Sequence, residues 1–120
     1  MIGGTVKVDH ADDTLVIGKF ESTGSAPDLG GDGVLEASAG KMRIGRIKLG
    51  GAFDLLDMKA TGGTIELTSH IDETTWSSVT LTVNNGGKLD VKRDGWDSRG
   101  GFSLSNGTID VSSSNTATFK

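Results

Sequence analysis

A chain of 120 residues is long enough to bury a real core, and its net charge of −4 is too acidic for a general nucleic-acid binder. It contains no cysteine, which excludes a disulfide framework, a thiolate nucleophile and a cysteine zinc site. Leu, Ile, Val and Phe supply 29 residues, and 19 Gly, 12 Ser and 13 Thr stand against one Pro, a composition of short strands and tight turns.

Residues 1–120 read as a single β domain. Met1-Ile2-Gly3-Gly4-Thr5 has neither a basic region nor an apolar run, so no signal peptide is expected there. No segment approaches the roughly 20 apolar residues of a membrane-spanning helix, and no membrane partner is expected. Val6 and Val8 alternate with polar residues as a first strand, His10 to Asp13 turns the chain, and Leu15 and Ile17 open a second strand that Gly18 bulges before Phe20. Residues 22–33, with Pro27, Gly30-Gly31 and Asp32, read as the longest loop.

Leu35 and Ala37 then oppose Met42 and Ile44 across Ala39-Gly40. Ile47 and Leu49 continue one residue out of phase beyond a bulge at Gly45. Phe53, Leu56 and Ala60 have helical spacing, but a strand that sets Met58 and Ala60 against Leu67 and Ile65 across Gly62-Gly63 is the preferred reading. Residues 69–77, with Trp76, form a connection. Val79, Leu81 and Val83 alternate, and Asn85-Gly86-Gly87 closes a hairpin onto Leu89 and Val91. Lys92 to Gly101 is a polar loop carrying Trp96. Phe102 to Val111 is the clearest hairpin: Asn106-Gly107 suits a type I′ turn, which sets Leu104 opposite Ile109 and places the unit in the core. Thr116 to Phe119 is a last short strand.

These segments predict an all-β fold, an antiparallel β-sandwich or barrel built of consecutive hairpins. The alternative is a parallel β-solenoid with rungs of about 22 residues. It rests on a recurring Gly-Thr/Lys-apolar-x-apolar pattern at Gly4, Gly18, Gly40, Gly63, Gly87 and Gly107, whose last four intervals are 22, 23, 24 and 20 residues. The hairpin turn residues and their matching registers favour the antiparallel fold.

Catalytic chemistry finds little support. His10 and His70 read as strand-end surface residues, and no Ser sits in a nucleophile elbow. The carboxylate pairs Asp12/Asp13, Asp54/Asp57 and Asp94/Asp97 fall in polar or turn contexts where acids are ordinary. Asp28-Leu29-Gly30-Gly31-Asp32-Gly33 is an oxygen-rich loop. It lacks EF-hand spacing and the repeated glycine–aspartate pattern of calcium-binding β-rolls, so a flexible turn is the simpler reading, as it is for Asp9, Asp12 and Asp13. No enzyme, metal or cofactor is expected.

Two features suit a partner. Lys41, Arg43, Arg46 and Lys48 place four cations within eight residues, either a patch for an acidic surface or a solvated, edge-protecting strand face. Trp96 and the nearby Arg99 suit a sugar or protein contact, or Trp96 closes one end of the core. The function expected is structural, by elimination and fold-level analogy: a symmetric assembly protein of a virus particle, such as a bacteriophage capsid-decoration, tail or fibre component. It would associate with copies of itself and with other virion proteins, and be located in the virion. The alternative is an extracellular or cell-surface adhesin or carbohydrate-binding module with a glycan partner. A third reading is a piece of a solenoid passenger from a larger secreted protein.

Overall fold

In the computed structural model, residues 4–22, 33–49, 55–68, 71–73, 78–92, 96–97, 102–112 and 116–118 are described. Thirteen strands follow one another among them: β1 Gly4–Val8, β2 Thr14–Ser22, β3 Gly33–Ala37, β4 Lys41–Leu49, β5 Leu55–Ala60, β6 Thr64–Leu67, β7 Ile71–Glu73, β8 Ser78–Asn84, β9 Lys88–Val91, β10 Trp96–Asp97, β11 Phe102–Ser105, β12 Thr108–Val111 and β13 Ala117–Thr118. One sheet runs β1-β3-β5-β8-β11. A second runs β12-β9-β6-β4-β2, with β7 also paired to β4, and β10 pairs with β13.

Every one of these pairings is parallel. Apart from β6 and β7, which both pair with β4, strands adjacent in the chain lie in different sheets, and strands in neighbouring rungs pair with one another. Five rungs result: β1–β2, β3–β4, β5–β6–β7, β8–β9–β10 and β11–β12–β13. The antiparallel sandwich or barrel expected from the sequence is therefore wrong, and the parallel β-solenoid alternative is compatible with this pairing. Leu104 does not face Ile109; it pairs with Val83, and Ile109 with Leu89. Likewise Met58 pairs with Leu35 and Leu81, not with Leu67.

The expectation failed for a physical reason. Parallel strands are usually covered on both faces and read as continuous apolar runs, whereas alternation marks a sheet with one face in water. Here each parallel sheet has one buried and one solvated face, so its strands alternate as antiparallel strands do. The turn chemistry is shared too. Gly40 (φ 66), Gly62 (φ 139), Asn85 (φ 51), Gly86 (φ 80) and Asn106 (φ 52) have positive φ, which a tight corner between two sheets demands as readily as a hairpin does.

Backbone bonds between turns fix the height of the stack. Lys41 N–H donates to Asp13 O (2.9 Å), Thr64 N–H to Gly40 O (2.9 Å), Lys88 N–H to Gly63 O (2.9 Å) and Thr108 N–H to Gly87 O (2.9 Å). One donor per rung, always the residue after the turn, reaches the carbonyl one rung below. At the far end of the second sheet, Thr68, Lys92 and Ser112 N–H donate to Ile44, Leu67 and Val91 O in the same way. The recurring glycine before each Thr or Lys follows from this closeness: a Cβ at Gly63 would lie 2.8 Å from the Ala39 carbonyl, and one at Gly87 would run into Ala60 O.

Four inward columns run the height of the stack, and the buried register pair Leu56 and Val79 adds to the core beside them. Val6, Leu35, Met58, Leu81 and Phe102 align in the first sheet, beside Val8, Ala37, Ala60, Val83 and Leu104. Leu15, Met42, Ile65, Leu89 and Ile109 align in the second, beside Ile17, Ile44, Leu67, Val91 and Val111. The middle rungs of each column are buried, and the end rungs are covered less evenly: Val8 is 5% exposed, but Val6 is 41% and Leu104 48% exposed. Leu104 thus lies outside the core, against the expectation from its hairpin reading. Beyond the glycine pair Gly18–Gly45 the apolar phase slips by one, and Phe20, Ile47 and Ile71 align in register.

Gly87→Ala is expected to lower stability by about 1–3 kcal/mol through forced backbone displacement. Gly4→Ala, whose added methyl would meet nothing within 4 Å, is expected to leave it unchanged. Urea denaturation of the two variants reads the difference.

Candidate functional site

Among the described residues, the outward face of the second sheet carries the main group of paired charges. Two outward columns run up it in register. One is Thr14, Lys41, Thr64, Lys88 and Thr108; the other is Val16, Arg43, Glu66, Asp90 and Asp110. Parallel in-register stacking brings residues 20–27 apart in sequence within reach of one another. Arg43 Nε donates to Glu66 Oε1 at 2.8 Å, and Lys41 Nζ stands 3.6 Å from Glu66 Oε2. One rung on, Lys88 Nζ lies 3.2 Å from Asp110 Oδ2 and 4.0 Å from Asp90 Oδ2, and Lys92 Nζ lies 3.5 Å from Asp90 Oδ2.

Glu66 is the focus of this ladder. Its side chain is only 6% exposed, whereas Lys41 and Arg43 are 41% and 45% exposed. Burial pushes the carboxyl up. The Arg43 hydrogen bond, with the charges of Arg43, Lys41 and Lys92, outweighs that and holds it below its ordinary value of 4.5. Glu66 is therefore ionised at neutral pH, with its charge shared between two cations of the rung below. Such a group is not poised for proton transfer. Its chemistry is cross-linking: it ties the second rung to the third, as Lys88 to Asp110 ties the fourth to the fifth. On the other sheet Thr61 Oγ1 donates to Glu36 Oε1 at 3.0 Å, joining the third rung to the second.

The four clustered cations Lys41, Arg43, Arg46 and Lys48 all fall on β4. Lys41 and Arg43 join the ladder just described. Arg46 is in register with Lys19, and Lys48 with Glu21 and Asp72. Trp96 belongs to the two-residue β10, in register with Ala117, and Arg99 lies outside the described residues. The second sheet thus gathers the four cations, and Trp96 is paired in a separate two-stranded sheet.

His10, Asp12 and Asp13 form the exposed turn after β1, where Asp13 N–H donates to His10 O at 3.1 Å. His70, Trp76, Asp54, Asp94 and the loop from Asp28 to Asp32 lie outside the described residues. Among the described residues no three His, Asp or Glu side chains form a group able to hold a metal ion. Sequence reasoning missed Glu66, Lys88, Asp90, Lys92 and Asp110 as partners of one another. The signal was present: Arg43, Glu66, Asp90 and Asp110 recur at rung spacing.

Compared with known proteins, the chain matches no family model, no curated protein and no solved structure.

Arg43→Ala is expected to cost about 1–3 kcal/mol at neutral pH, because it removes a charged hydrogen bond from a buried carboxylate. The pH dependence has a definite sign. The folded-state pKa of Glu66 is depressed, so its contribution is complete above the unfolded value and is lost as pH falls through the folded one. Wild type is therefore expected to lose stability below about pH 4.5 more steeply than Glu66→Gln does, as read by thermal melts across the acid range.

Proposed function

We propose that this chain is a non-enzymatic structural element of an assembly, and specifically a component of a virus particle of the capsid-decoration, tail or fibre kind. The observation that supports this most is how the described charges are used: Glu66 with Lys41 and Arg43, and Asp110 with Lys88, join neighbouring rungs to one another. Side chains used in this way stiffen a β-stack rather than line a concave site. Stiffness of this type suits a part whose task is to hold a shape under load.

In this reading the β4 strand is the docking face toward other particle proteins. Lys41 and Arg43 keep close to half of their side-chain surface in water while paired to Glu66. Arg46 and Lys48 continue the strand, and Trp96 and Arg99 are the second candidate contact. The particle, not the cytosol or a membrane, is the expected location.

Density-gradient fractionation of particles formed from this gene and its genomic neighbours tests the reading. The chain is expected in the particle band at constant ratio to the other proteins. Arg46→Ser with Lys48→Ser is expected to weaken its attachment and flatten the salt dependence, with the melting temperature unchanged. Recovery of the chain only in the soluble fraction, with glycan binding that quenches tryptophan fluorescence, would overturn it in favour of a carbohydrate-binding module.

A further inference from the structure

Building on the assembly reading above, we propose that copies of this chain stack head to tail, with the β11–β12 end of one copy seated on the β1–β2 end of the next. Both sheets would then run on in register from copy to copy.

Two observations define the ends. Among the described residues, no further strand pairs with the outer edges of β1, β2, β11 or β12. An open strand edge presents backbone donors and acceptors that a further parallel strand satisfies. The inward columns are also incompletely covered there, although Val8 is only 5% exposed. Val6 and Leu104 are 41% and 48% exposed, whereas Leu35, Met58 and Leu81, and Ala37, Ala60 and Val83, in the same columns are 0–1% exposed. What completes these ends must bring apolar side chains at alternate positions along a strand.

A second copy does so in each of the four full-length columns. Laid head to tail, Leu104 of one copy enters above Val8 of the next, Phe102 above Val6, Ile109 above Leu15 and Val111 above Ile17. These are the same kinds of contact the internal rungs make. The outward columns match as well: Thr108 meets Thr14, Ser103 meets Lys7 and Asp110 meets Val16, with no like charges in contact.

The two-fold arrangements do not share this fit. Antiparallel pairing of two β12 strands that keeps both apolar residues matched, Ile109 to Val111 and the reverse, sets Asp110 opposite Asp110. The same pairing of two β1 strands, Val6 to Val8, sets Lys7 opposite Lys7. Charge therefore selects the head-to-tail contact. Such a contact is heterologous and does not close, so it produces rods of increasing length.

Sedimentation velocity of the full chain over a concentration series tests this. Wild type is expected to form larger species as concentration rises. Val6→Lys blocks one end and Leu104→Lys the other, so each alone is expected to remain monomeric. Their equimolar mixture is expected to yield a species of two chains and nothing larger, since one intact end of each kind remains. Ser103→Lys sits outward and exposed, so it leaves the fold intact by circular dichroism and is expected to raise several-fold the concentration at which growth begins. A wild type that stays monomeric throughout overturns the proposal. So does a dimer formed by either end-blocked variant alone, which would mean two-fold pairing, or unchanged growth of Ser103→Lys. If the chain sediments with particles yet never self-associates, the assembly reading stands and the stacking inference falls.

Discussion

The equal height of successive turns is the constraint on which the rest of this structure depends. A parallel strand pair needs its partner in register along its whole length, and a coil of such pairs needs every rung to return to the same place. The bonds from Lys41, Thr64, Lys88 and Thr108 N–H to the turn carbonyl below enforce this, each at 2.9 Å. Once they are set, the identity of each column follows. Inward positions become Leu, Ile, Val, Met or Ala in register, and glycine is required before the donor because the turn backbones nearly touch. A one-residue slip would turn every column inside out, so register and core composition stand or fall together.

The same constraint explains the ion pairs. Surface salt bridges contribute about 0–1 kcal/mol each when both side chains must be held in place at entropic cost. In a stack the strands already hold the side chains at the spacing of neighbouring strands, about 4.8 Å, and much of that cost is met by the backbone. Glu66 goes further, because it is nearly buried although it lies on the outward face. Its charge is tolerable only because Arg43 and Lys41 stand over it from the rung below. The basic run on β4, conspicuous in the sequence, is thus partly the complement of acids one rung away, and it serves cohesion within the chain before it serves any partner.

Most strands were legible from alternation alone: Val6/Val8, Leu35/Ala37, Met42/Ile44, Met58/Ala60, Ile65/Leu67, Val79 to Val83 and Leu89/Val91 all lie in strands with those residues inward. The strand from Leu55 to Ala60 also resolved the helical ambiguity around Leu56 and Ala60 in favour of β-structure. The partners were not legible in the same way, because alternation names a face and not a neighbour. Asn106-Gly107 illustrates the trap. Of the pair only Asn106 adopts positive φ, and it turns the chain onto the other sheet instead of back along β11. The deciding signal was the period. Nothing in a string of independent hairpins keeps glycine, donor and apolar pair 20–24 residues apart, whereas a rung must. The pattern at Gly40, Gly63, Gly87 and Gly107 marks true turns, but Gly4 and Gly18 fall within strands and blurred it. For the candidate site, the cations were visible as a cluster. Their carboxylate partners were hidden by sequence distance until the register was known.

Cysteine pairing tests this register most directly, since the chain has no cysteine of its own. Lys59 and Thr82 are register partners on the outward face of the first sheet, so Lys59→Cys with Thr82→Cys sets two thiols one strand apart. In a hairpin closed at Asn85-Gly86-Gly87, Thr82 would instead stand opposite Asp90. The rung stack predicts rapid disulfide formation in the Lys59→Cys/Thr82→Cys protein under mild oxidation, and none within the Thr82→Cys/Asp90→Cys monomer. Efficient closure of the second pair and failure of the first would contradict the stack and restore the hairpin.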